Sequence, residues 1–170
     1  MFQTGYSVKD AGYLPIPMEK QDDGTFKVTL PLPGTQYFYG FVEEGDMDNI
    51  LKDQSNLPEK NGDSDCGWST IYVGDKDNCL EGQEYIYPRT DKKVGTVEYV
   101  NYKAADGSEK PLGIYLPEGY DKNETYKTLY LSHGGGNEVE WMTIGSAKNI
   151  FDNLIAEGKL DKTIIVTMDN

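Results

Sequence analysis

The apolar run Leu129-Tyr130-Leu131-Ser132 passes directly into His133-Gly134-Gly135-Gly136. Three consecutive glycines after a strand mean a sharp turn, backbone angles closed to other residues, or close approach of another molecule. A strand, such a loop and a following helix present free backbone N–H groups, which suit an incoming negative charge. Two chemistries use that arrangement, a phosphate cradle and an oxyanion hole. The cradle calls for G-x-G-x-x-G or G-x-x-x-x-G-K-[ST], and neither spacing is present in this loop. The residues therefore point to an oxyanion loop, in which backbone donors face the charge of a tetrahedral intermediate. A tight strand-to-helix turn with no chemical role is the alternative.

The elements that must hold this loop lie on both sides of it. Residues 94–102 alternate as a strand, Ala104-Ala105-Asp106-Gly107 is a turn, and residues 110–116 form a second strand closed by Pro117-Glu118-Gly119. Residues 127–132 are almost continuously apolar, as expected of a strand covered on both faces. Ile150, Phe151, Leu154 and Ile155 make one stripe of a helix over about residues 146–157, which Gly158 stops at C′. Ile164 to Met168 is a fourth strand. Strand, glycine loop, helix and strand make a βαβ crossover, so this region reads as α/β.

The first 88 residues carry a different pattern. Asp23-Gly24 marks a turn before Thr25-Phe26-Lys27-Val28-Thr29-Leu30, and Pro31-Leu32-Pro33-Gly34 breaks that run. Residues 37–42 and 68–73 are further β-favouring runs, rich in aromatics. Residues 49–63 read as a long polar connection. Short strands with no helical periodicity between them predict a small β-sandwich over residues 1–90, joined by a linker around residues 87–91 to a second module, residues 91–170.

The chain has 170 residues and a formal charge of −13, which argues against nucleic acid or an anionic membrane as partner. The charge divides as −9 for residues 1–90 and −4 for residues 91–170. No apolar run is long enough to span a bilayer, and no signal peptide opens the sequence. Met1-Phe2-Gln3-Thr4 reads as the cut edge of a longer chain. Cys66 and Cys79 are either a loop disulfide or two free thiols. His133 is the one histidine, so no metal site is expected, and no cofactor. Asp63-Ser64-Asp65 and Asp75-Lys76-Asp77 read as solvated turns.

Five blocks in order carry a resemblance. They are residues 94–98, Ile114-Tyr115-Leu116-Pro117-Glu118-Gly119-Tyr120, residues 129–136, Trp141, and Asn153-Leu154-Ile155-Ala156-Glu157-Gly158-Lys159. Together they closely resemble the front part of feruloyl-esterase and enterochelin-esterase-like α/β-hydrolases. Pro17-Met18, residues 23–26, residues 30–34, residues 37–41 and residues 53–58 look like the early-set immunoglobulin-like domain that precedes some of these esterases. The resemblance implies an immunoglobulin-like β-sandwich followed by the incomplete first half of an α/β-hydrolase sheet. His-Gly-Gly-Gly is the oxyanion-loop type of such hydrolases. It implies Gly135 as the backbone oxyanion donor, with Gly134 and Gly136 holding the loop's shape and His133 supporting it. Trp141 is implied as a wall of the substrate pocket, the alternative being a buried aromatic at the helix entrance.

The G-x-S-x-G nucleophile elbow of such enzymes is absent from the sequence. The expectation is a fragment of a serine carboxylic-ester hydrolase that is inactive alone. Its parent would act outside the cell or in the periplasm on plant cell-wall polysaccharide esters. The competing expectation is a carbohydrate-binding or spacer module joined to an inert hydrolase fragment, with Tyr37, Tyr39, Phe41 and Trp68 either a sugar-stacking platform or core.

Overall fold

A computed structural model describes residues 15–169; Met1 to Thr4 and Asn170, where the sequence suggested cut edges, lie outside them. The described chain forms two compact units. One holds residues 15–58 and 68–80, the other residues 59–67 and 81–169. The second therefore takes in a short internal segment and residues 81–90, which the sequence grouped with the first module.

In the first unit, β1 (Glu19–Lys20) pairs antiparallel with β2 (Phe26–Lys27), and β3 (Thr35–Tyr39) with a longer partner at residues 69–73. Among the described residues these are two separate strand pairs, and the two packed sheets of a sandwich are not seen. Only two residues of the run 25–30 pair, because Pro31 and Pro33 follow and lack the N–H that a ladder needs. Phe26, Phe41 and Ile71 remain exposed, the side chains a facing sheet would cover. Tyr37 is buried, its hydroxyl donating to Pro33 O at 2.9 Å, and Tyr39 meets Phe41 edge-on. These three rings do not form a common flat platform.

The second unit opens with a hairpin of β4 (Lys60–Asn61) and β5 (Ser64–Asp65), turned at Gly62 in the left-handed region that glycine tolerates. It is extended by the bond from Cys66 N to Glu59 O at 3.2 Å. The long polar connection expected over residues 49–63 thus ends in a strand pair, and of the expected solvated turn Asp63 lies on the exposed turn while Ser64 and Asp65 pair. The partner strand in the first unit, β6 (Ser69–Val73), follows it.

Next come β7 (Thr96–Lys103), β8 (Glu109–Leu116), β9 (Lys127–Ser132), α1 (Ala147–Ala156) and β10 (Thr163–Met168). They form a four-stranded sheet in the order β7-β8-β10-β9. The β7/β8 and β8/β10 pairs are antiparallel, and β9 and β10 are parallel through the crossover helix. Alternation gives one face to Val97, Tyr99, Gly113, Tyr115, Ile165 and Thr167. The core lies on that face: Tyr115 and Ile165 pack with Met142 and Ala147, joined by Val97, Leu131, Phe151 and Ile155. Gly158 ends the helix as its spacing predicted, at φ 66°. Asn153 on α1 donates to Tyr85 O and Tyr87 O, and Asn149 to Ile86 O, which fixes residues 85–87 to this unit.

Strand β9 departs from its expected burial on both faces. It is an outer strand with nothing paired to its far edge among the described residues, leaving Leu129 40% and Tyr130 63% exposed. The sequence registers an apolar strand, but burial also needs a neighbour.

Candidate active site

The parallel pair brings two chain ends together. His133 follows β9 and Asp169 follows β10, which places the glycine loop at the carboxyl ends of the strands, where open α/β sheets bind ligands. The His133 side chain is only 7% exposed. Its Nε2 lies 3.3 Å from Asp169 Oδ1 and its Nδ1 3.1 Å from Gly134 O. Both ring nitrogens face acceptors in the loop and its neighbour, so the ring braces the loop's base.

Gly134, Gly135 and Gly136 all lie outside the left-handed region, so unusual φ angles are not why glycine stands there. A Cβ at Gly134 or Gly135 would meet nothing within 4 Å, whereas one at Gly136 would strike the Glu140 carboxylate. The absence of side chains at residues 134 and 135 is thus not required by internal packing. Residues 134–136 form a bend, with open space beside Gly134 and Gly135. Among the described residues no backbone carbonyl accepts from the N–H groups of Gly134, Gly135 or Gly136.

The far side of the loop is tied down by residues whose roles the sequence did not reveal. The Asn137 side chain donates to Asp65 O at 2.7 Å and accepts from Val139 N at 3.0 Å. Glu138 is wholly buried. Its Oε1 accepts from Asn61 Nδ2 at 2.9 Å, its carbonyl accepts from Thr167 Oγ1 at 2.6 Å, and Oε2 has no hydrogen-bond partner among the described residues. Tyr99 lies in the same neighbourhood, its phenol pushed far above the ordinary tyrosine range by burial and by the adjoining Glu59 carboxylate. Only the occurrence of an acid just after the glycines signals Glu138 in the sequence, and that does not reveal a partner 77 residues away.

Trp141 is 38% exposed and folds against Gly145, where a Cβ would crowd its ring and carbonyl. It is therefore not the buried aromatic considered as the alternative. Cys66 and Cys79 are not joined in a disulfide. Among the described residues no cluster of histidine, cysteine and acidic side chains could hold a metal, and no helix is long and apolar enough to cross a membrane.

Residues 104–170 match the family described as "Putative esterase". The chain is 33% identical over 142 residues to an endo-1,4-beta-xylanase/feruloyl esterase of Xylanibacter ruminicola, covering 79% of this chain and 18% of that protein. It is 38% identical over 77 residues to endo-1,4-beta-xylanase Y of Acetivibrio thermocellus, covering 44% of this chain and 7% of that protein. Among solved structures, a mutant of the feruloyl esterase module from Clostridium thermocellum, complexed with sinapinate, is 38% identical. The match covers 49% of this chain and 29% of that one, with a TM-score of 0.45. The chain is thus similar to part of a feruloyl-esterase-like hydrolase, and it spans less than a fifth of the curated relatives it matches.

Proposed function

We propose that this chain supplies the oxyanion loop of a serine carboxylic-ester hydrolase that acts on plant cell-wall polysaccharide esters of the feruloyl or acetyl xylan type. The observation that carries the reading is the loop at the ends of β9 and β10, with a Gly135 N–H that meets no backbone acceptor among the described residues and open space at the position of its missing side chain. In this reading the first unit is an accessory early-set immunoglobulin-like module, and the second is the first half of an α/β-hydrolase sheet. The strand order β7-β8-β10-β9 supports the latter, because β9 offers its outer edge to a further strand.

The serine comes from a segment outside these 170 residues, since no G-x-S-x-G lies within them. Its hydroxyl oxygen adds to the ester carbonyl while a base takes its proton, and the carbonyl oxygen becomes an oxyanion that accepts from Gly135 N–H. Collapse expels the polysaccharide alcohol, which takes up the proton, and leaves an acyl-serine that water hydrolyses. Gly134 keeps the approach open, His133 braces the loop, and Trp141 offers an aromatic wall. The parent protein would work outside the cell or in the periplasm, with no cofactor.

The test is hydrolysis of methyl ferulate and acetylated xylan by the complete parent protein, with block by a serine-directed phosphonate. This chain alone should hydrolyse neither. Failure of the complete protein on both esters would refute the reading. The other reading, a carbohydrate-binding or spacer module with an inert hydrolase fragment, predicts retention of this chain on xylan or starch-like glucan without turnover by the parent.

A further inference from the structure

We infer that the β4–β5 hairpin is a positioning device for the oxyanion loop, with Asn61 as its principal positioning residue. The inference rests on the proposed esterase reading for its kinetic consequence, but its structural part stands apart from it.

Two consecutive residues directly after the glycines are held from the hairpin. Asn61, the last residue of β4, donates to Glu138 Oε1, and Asp65, the last of β5, accepts from Asn137 through its backbone carbonyl. The two bonds leave opposite strands of one antiparallel pair, so they fix the orientation of residues 137–138 as well as their distance. The sheet supplies a third tie, from Thr167 to the Glu138 carbonyl. At its other end the loop is fixed by His133. Residues 134–136 therefore span two anchored points, and the position of Gly135 N–H follows from both.

The Asn61 bond matters most because of what it meets. Glu138 is fully buried, and Asn61 is the side-chain donor to its carboxylate among the described residues. A buried carboxylate deprived of its donor has to find another one or move toward water, and its backbone moves with it. An oxyanion donor works only within a few tenths of an ångström of its proper place, so a displaced loop would slow chemistry more than it weakens ground-state binding. Asn61 is a positioning residue, acting on the loop through its bond to Glu138.

The test has two arms. In the first, hydrogen exchange is followed in this chain for wild type, Asn61→Ala and Glu138→Gln. Asn61→Ala should accelerate exchange at Val139, whose amide is held by Asn137, while Glu138→Gln keeps an acceptor for Asn61 and should stay near wild type. In the second, kcat and KM are measured for the complete parent protein carrying the same changes. Asn61→Ala should lower kcat by about tenfold or more with KM within about twofold, and should weaken an arylboronate that forms a tetrahedral serine adduct in the same proportion. Asp63→Ala, on the hairpin's exposed turn, should change neither. If Asn61→Ala does not fold, Asn61→Gln, which moves the amide by one methylene, reads the same split. Unchanged exchange, or a loosened loop with normal kcat, overturns the proposal. Absence of ester hydrolysis by the wild-type parent would instead overturn the esterase reading, and the exchange arm would still decide the hairpin's role.

Discussion

The Tyr115 hydroxyl donates to Asp152 Oδ1 at 2.9 Å, joining the middle of the sheet to the buried face of its helix. The same oxygen accepts from Gly95 N at 2.7 Å, and Lys148 Nζ reaches Oδ2 at 2.6 Å. A carboxylate with three donors is tolerable in an interior, whereas one stripped of them is not.

That relationship predicts a loss of stability in alkali. Burial, then the neighbouring Asp152 carboxylate, pushes the Tyr115 phenol far above its ordinary value of 10.0. The unfolded chain releases this proton near pH 10 while the folded chain keeps it. The stabilisation is therefore complete below pH 10 and drains away as pH rises above it. Urea unfolding followed between pH 8 and about 12 should show a steeper decline for wild type than for Tyr115→Phe. At pH 8 the variant should be less stable by about 1.5–3 kcal/mol, the range for a hydrogen bond to a charged group. Equal slopes would dismiss this origin.

Gly135 separates donor from space. Gly135→Ala places a methyl in an empty region at an ordinary φ and should leave urea stability within about 0.5 kcal/mol. Gly135→Pro deletes the N–H. In the complete parent protein it should reduce kcat by roughly 10²–10³-fold, with a smaller change in substrate binding. Near-normal turnover of the proline variant would remove Gly135 from the oxyanion hole.

Gly113 sits where the sheet has no room for a side chain. A Cβ there would press on the buried Thr167 Oγ1 and the half-buried Tyr99 ring. Gly113→Ala should destabilise the second unit by about 1–3 kcal/mol, the usual result of overpacking. Chemical denaturation measures it, and a neutral result would mean that Tyr99 swings aside freely.

Exposed β9 predicts association of this chain in solution. An apolar strand with an open edge is a template for pairing with another copy. Sedimentation velocity should show mass rising with concentration, and Leu129→Lys with Tyr130→Lys should suppress it. A monodisperse monomer at high concentration would contradict this.

The sequence made the glycine loop, the crossover and the helix stripe readable, because each follows from local rules. Periodicity places Ile150, Phe151, Leu154 and Ile155 on one helical stripe, and Gly158 has one good reason to follow them. The hairpin was hidden for the opposite reason. Lys60, Asn61, Ser64 and Asp65 have no apolar alternation, and the hairpin they form with one another is tied by Asn61 and Asp65 to residues more than 70 positions away. Asp152 looks in sequence like the polar side of a helix, and only the Tyr115 hydroxyl and the Gly95 amide make it an interior residue. The expected sandwich came from counting short β-favouring runs, a pattern that does not establish how those runs are partnered. Strand β9 was read as covered for a similar reason.

The distance along the chain between Asn61 and Glu138 also sets an order of events during synthesis. At roughly 5–20 residues per second, the hairpin leaves the ribosome some 4–15 seconds before the loop it is to hold. Cys66, buried in the finished unit, is open to chemistry for that interval. The residues of the brace are, by contrast, already synthesised when the glycine loop emerges. The loop is thus held by residues translated nearly half a sequence earlier.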